Sequence, residues 1–159
     1  MKAPFPLEVV GLLGRDELGS WIRKDCEHYA IGSSGLQQAT PALISYTVAL
    51  RAASTGRRPF FHHRGANAQF SQAHVRQAFV DLDVKRRPPR LFYLGYLMLL
   101  DTLDRIDGDG ATEAAGILSM AKDEEMETVV DLVSTDHEAY AEIVEAALAH
   151  TDHLLLNEW

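Results

Sequence analysis

Leu91-Phe92-Tyr93-Leu94-Gly95-Tyr96-Leu97-Met98-Leu99-Leu100 is the longest strongly apolar run in the chain, and its reading decides the fold. The run is about half as long as a membrane crossing requires. It lies between Pro88-Pro89 and the turn-forming Asp107-Gly108-Asp109-Gly110. Read this way, residues from about 89 to 106 form a helix that is apolar nearly all round and occupies the centre of the molecule.

Helical spacing extends outward from this segment in both directions, and no stretch shows the sustained alternation of a half-buried strand. Leu18, Trp21, Ile22, Cys26 and Tyr29 form one stripe, with Asp16 as N-cap and Gly32 as stop. Leu36, Ala39, Leu43, Tyr46, Leu50 and Ala53 form a second, in which Thr40 and Pro41 begin a helix that Gly56 closes. Ser71 caps a third, with core residues Val75, Ala78, Phe79 and Leu82 and with Phe70 stapled onto Val75. Downstream, Ala114, Ile117, Leu118 and Ala121 make one stripe, and Met126, Val129, Val130 and Val133 make another. Thr135 with Glu138 reads as a capping box before Tyr140, Ile143, Val144, Ala147, Leu148 and Leu155. The expectation is an all-α fold, a compact single-domain bundle of six to seven helices over residues 1–159, with a basic-aromatic loop at 57–70.

A chain of 159 residues with 47% hydrophobic and 24% charged residues is long enough for one well-buried core. Cys26 is the only cysteine, which excludes an internal disulfide and fits a reducing cytoplasm. Met1 to Pro6 contains no apolar core of signal-peptide length, so a cytoplasmic location without membrane association is expected.

Charge is sorted along the chain. Residues 51–90 hold nine Lys and Arg against two acids, a local +7, whereas residues 101–159 hold 16 acids against two basic groups, a local −14. The basic belt comprises Arg51, Arg57, Arg58, Arg64, Arg76, Lys85, Arg86, Arg87 and Arg90, with His62 and His63 and the aromatic pair Phe60-Phe61 interleaved. Cations attract phosphate backbones and rings stack on unpaired bases, so these residues are the candidate contacts for RNA or another single-stranded nucleic acid. Pairing of the arginines with the acidic helices, within or between subunits, is the alternative. The same charge separation predicts head-to-tail contacts between copies.

The remaining motifs carry little chemistry. Asp107-Gly108-Asp109-Gly110 fails the calcium-loop register, since Arg105 and Gly116 stand where carboxylates are required, and it reads as a turn. His150 and His153 are one helical turn apart, but no third ligand at matching spacing accompanies them, and no metal is assigned. Cys26, between Asp25 and Glu27 on a core-facing stripe, is a poor nucleophile. No phosphate-cradling glycine loop or nucleotide fingerprint occurs, and no cofactor is called for.

Leu132-Val133-Ser134-Thr135-Asp136-His137-Glu138-Ala139-Tyr140, followed by Glu145-Ala146-Ala147-Leu148, resembles the last helices of the small helical subunit of type III-B CRISPR effector complexes. Ser34-Gly35-Leu36-Gln37-Gln38-Ala39 is similar to that family's turn before an apolar helix, with serine in place of the turn asparagine and Pro41 breaking the helix after it. The resemblance implies a non-catalytic subunit of an antiviral ribonucleoprotein that stacks with copies of itself and with other subunits along RNA. A protein-binding adaptor or inhibitor that docks an acidic partner is the second reading, and a helical-bundle metalloenzyme is the third.

Overall fold

A computed structural model describes residues 5–157. The expected all-α bundle is replaced by an α/β fold. Among the described residues the order is β1 (Glu8–Leu13), α1 (Glu17–Tyr29), β2 (Gly32–Gln38), β3 (Tyr46–Ala49), β4 (Phe60–His63), a short 3₁₀ turn (Gly65–Gln69), α2 (Gln72–Asp81), β5 (Leu91–Leu97), α3 (Glu113–Asp123), β6 (Glu127–Leu132), α4 (Tyr140–Leu148) and β7 (His153–Leu155).

The apolar run at 91–100 is therefore a strand and the turn after it, not a central helix. Parallel strands covered by helices read as continuous apolar segments, and periodicity cannot separate such a segment from a buried helix. Here β5 pairs in parallel with β6, and β6 with β7, so that β5-β6-β7 is a three-stranded sheet reached through α3 and α4. The Met126 to Val133 stripe, expected as helix, supplies β6 instead, and Thr128, Val130 and Leu132 are buried in it.

β1 and β2 form a separate parallel pair joined through α1. The second expected helix does not exist: Gly32–Gln38 is strand, residues 39–45 are irregular, and Tyr46–Ala49 is strand again. The four α-helices among the described residues are ones the sequence marked. Asp16 caps α1 by accepting from the Gly19 amide, Ser71 caps α2, and Thr112 caps α3, whose Ala114, Ile117, Leu118 and Ala121 are fully buried. The last helix starts at Tyr140 rather than at Thr135.

The main core joins Leu12 of β1 to Leu94 and Leu97 of β5, Val130 and Leu132 of β6, Val75 of α2, Ile117 and Leu118 of α3, and Ile143 of α4. A smaller cluster of Leu13, Cys26, Leu36 and Ile44 lies with Ile22 between the first sheet and α1. The third sheet pairs β3 with β4 in antiparallel register, Tyr46 opposite His63 through Ala49 opposite Phe60. All eight of its residues are exposed, so this hairpin stands away from the core as a flap. Much of the expected 57–70 loop is thus strand and 3₁₀ turn.

Candidate functional site

Open parallel sheets place ligands beyond the carboxyl ends of their strands, where several loops converge. In this molecule the loops after β5 and β6 line a cleft of about 360 Å³, bounded by Arg64, Met98, Asp101, Asp104, Arg105, Ile106, His137, Ala139 and Ile143.

The floor of this cleft is the turn from Met98 to Asp104. The β5–β6 register shifts between Leu94 and Leu97, and Tyr96 and Met98 both have left-handed backbone, at φ 60° and 83°. Neither is glycine, so each costs on the order of 1–3 kcal/mol, a strain of the kind that recurs where backbone is shaped for a ligand. Asp104 holds the turn by accepting from the amides of Met98 (3.2 Å) and Leu100 (2.7 Å). Burial pushes its carboxyl above the ordinary 3.8, opposed by those two amides. Thr102 donates to the Ala68 carbonyl at 2.7 Å, tying the turn to the 3₁₀ segment.

At the rim, Arg64 Nη1 lies 3.0 Å from Asp101 Oδ1 and 3.4 Å from the Met98 carbonyl. Both side chains remain about 40% exposed, at 39% and 44%, so the pair orients the Asp101 carboxylate while leaving it accessible. His137 accepts from the Ala139 amide through Nδ1, at 3.2 Å, on the opposite side. A carboxylate held in place by a cation, two further basic groups and an apolar wall line this cleft, the mixture of apolar surface and a few polar groups that small-molecule sites share.

The flap is hinged at this rim. Arg64 directly follows β4, and its carbonyl accepts from Ser45 Oγ, which in turn accepts from the Asn67 amide at 2.8 Å. The segment Leu43–Ile44, which leads into β3, is gripped from two sides. A Cβ on Gly14 would lie 2.0 Å from the Ile44 nitrogen, and one on Gly65, whose φ is +44°, would lie 2.6 Å from the Leu43 oxygen. Asp16 Oδ2 accepts from the Ile44 amide at 2.8 Å, and that bond with the Gly19 amide lowers its pKa. A carboxylate read from the sequence as a helix cap thus also fixes the base of the flap.

The residues of the basic belt are distributed over three parts of the fold: the flap, α2 and the link between α2 and β5. Arg51, Arg57 and Arg58 are at the tip of the flap; His62 and His63 are on β4, where His62 meets Thr47 Oγ1 at 2.8 Å and His63 packs on Tyr46. Arg64 alone of these residues reaches the cleft. Arg76 is exposed on α2, while Lys85, Arg86, Arg87 and Arg90 are exposed in the link between α2 and β5, where Arg86 pairs loosely with Asp83. Asp101 and Asp104 were not singled out by the sequence; their signal is position, immediately beyond an apolar strand. Asp107 accepts from the amides of Asp109 and Ala111, as a turn requires. His153 is in β7, 3.2 Å from Glu127, not on a helix with His150. Among the described residues no three His, Cys, Asp or Glu side chains assemble as metal ligands, and no helix is long and apolar enough to cross a membrane.

The same architecture occurs in solved kinases of sugars and nucleosides. Fructokinase from Xylella fastidiosa matches with a TM-score of 0.71 at 15% identity, over 95% of this chain and 45% of that one. Ribokinase from Giardia lamblia matches at 0.69 and 19% identity, over 95% and 41%. Adenosine kinase from Schistosoma mansoni in complex with tubercidin matches at 0.73 and 18% identity, over 98% and 42%. Such identities establish a shared fold, and the chain spans less than half the length of these structures. No protein-family model and no curated protein matches. The expectation of a non-catalytic, RNA-contacting subunit is overturned here, because the helical bundle that it required is absent and the solved structures that share this fold are kinases. The expectation of a non-enzyme falls with it.

Proposed function

We propose that this chain forms the acceptor-binding side of a kinase that phosphorylates a small hydroxylated molecule of the sugar or nucleoside class. The observation that carries the reading is the cleft at the carboxyl ends of β5 and β6, with Asp101 held by Arg64 at its rim and the flap hinged beside it. Phosphoryl transfer depends mainly on positioning an acceptor hydroxyl and stabilising charge, with water kept away. Asp101 is placed to accept a hydrogen bond from such a hydroxyl, and Arg64 and Arg105 offset negative charge beside it. The flap is placed to cover a ligand once it enters. The absence of a glycine-rich phosphate cradle from the sequence favours the acceptor over the nucleotide side.

Titration of the chain with D-fructose, D-ribose and adenosine, followed by calorimetry and amide NMR, tests this. At least one should bind with saturable shifts in residues 98–106 and 137–139. Asp101→Asn should weaken that binding by about tenfold, the equivalent of one charge-assisted hydrogen bond. Its stability should change little, because a half-exposed ion pair contributes about 0–1 kcal/mol. Absence of binding by all three ligands at millimolar concentration would overturn the proposal.

A further inference from the structure

The β3–β4 ladder continues past the strands themselves. Leu50 donates to the Pro59 carbonyl at 3.1 Å and Ala52 donates to the Arg57 carbonyl at 2.9 Å, which extends the register of Ala49 opposite Phe60. Arg51 and Arg58 therefore stand directly opposite one another, between two hydrogen-bonded pairs. This is the closer of the two antiparallel pairings, with Cβ atoms roughly 4.5–5.5 Å apart. Like charges at such a position destabilise a hairpin. Among the described residues no ion pair joins Arg51, Arg57 or Arg58 to an acid.

The two arginines and Gly56, which turns the chain with φ +71°, line a hollow of about 310 Å³. Directly opposed residues share a face of the sheet, so the arginine pair continues a row made by Ala49 with Phe60 and Thr47 with His62. The Phe60 and His62 rings are stacked along that row, 6.3 Å apart. Two arginines lining one hollow offer the forked donors that receive a phosphate monoester through charge-assisted hydrogen bonds. A dianion there removes the repulsion that the bare hairpin carries.

We infer that Arg51 and Arg58 form a phosphate-binding site at the tip of the flap. The site takes a phosphate monoester and stands apart from the cleft, since six residues of extended chain, about 20 Å, separate Arg58 from Arg64 at the cleft rim.

The test compares inorganic phosphate, D-ribose and D-ribose 5-phosphate by calorimetry at constant ionic strength. The phosphate ester should bind at least about tenfold more tightly than ribose, as expected for two hydrogen bonds to a charged group. Arg51→Gln and Arg58→Gln should each erase most of that difference, whereas Arg76→Gln on α2 should not. Arg51→Glu, which sets opposite charges across the hairpin, should abolish phosphate binding and slow amide exchange in β3 and β4, separating lost recognition from a damaged hairpin. Equal affinity for ribose and its phosphate would overturn the inference while leaving the acceptor site intact, and so would equal weakening by Arg76→Gln, which marks diffuse charge. Phosphate binding that needs both arginines, with no sugar binding more tightly than phosphate alone, would support this site and refute the acceptor reading of the cleft.

Discussion

Replacing Gly14 with alanine adds one methyl group, and the structure places it where backbone already stands. The new Cβ would lie 2.0 Å from the Ile44 nitrogen and 2.4 Å from the Leu43 carbonyl carbon, against an ordinary contact of at least 3.4 Å. The obstruction is main chain, so no side chain can rotate away and residues 43–44 must move by more than an ångström. That motion also breaks the hydrogen bond from Ile44 to Asp16. Overpacking typically costs about 1–3 kcal/mol, and a backbone obstacle places this case at about 3. For a chain of this size the melting temperature should fall by about 6–12 °C. Gly108→Ala is the matched control: nothing lies within 4 Å of its added Cβ, and a change within about 0.5 kcal/mol is expected. Thermal unfolding followed by circular dichroism measures both, and amide exchange in β3 and β4 should accelerate in the Gly14 variant alone. Equal melting of Gly14→Ala and the parent would refute the clamp at the base of the flap.

The core and its margins supply two more tests. Leu97 is fully buried in the main core, on the strand that packs against α3, so Leu97→Ala should cost about 2–5 kcal/mol in urea unfolding; a loss below about 1 kcal/mol would mean that β5 is not central. Asp152 accepts from Lys122 and from the Thr128 amide, which together lower its pKa from the ordinary 3.8 to about 2. A depressed carboxylate stabilises the fold above its unfolded pKa and loses that contribution as pH falls through the folded one, so the urea midpoint should drop between about pH 4 and pH 2. Asp152→Asn should flatten that limb; an unchanged limb would exclude Asp152 as its source.

The sequence was most legible where a polar group must satisfy a chain end. Asp16 and Ser71 stand at the starts of α1 and α2, and Asp107 closes its turn, whereas the Thr112 cap of α3 went unread. It was least legible in the parallel sheet. Thr128, Val129 and Val130 are buried on successive residues of β6, and β5 carries exposed Leu91 and Tyr93 beside buried Leu94 and Leu97, so neither strand shows the polar alternation that identifies one. Their aromatic and β-branched content (Phe92, Tyr93, Tyr96, Thr128, Val129, Val130) with Pro88-Pro89 ahead of the first was the available signal. In β3 the period-two series Tyr46, Val48 and Leu50 was hidden by a coincident helical spacing through Leu43, Tyr46 and Leu50. Charge sorting located Arg64 but not its function, since proximity to Asp101 depends on a turn whose Met98 lies 34 residues away.

The flap has no dry side. A two-stranded hairpin exposed on both faces is marginal in water by itself, so its eight strand residues should unfold and re-form as a local unit while the rest of the molecule stays intact. A ligand held by the flap must therefore order it, and the measured affinity is the strength of the grip less that ordering. Substitutions that stiffen the hairpin far from any ligand should tighten binding, mainly by slowing release.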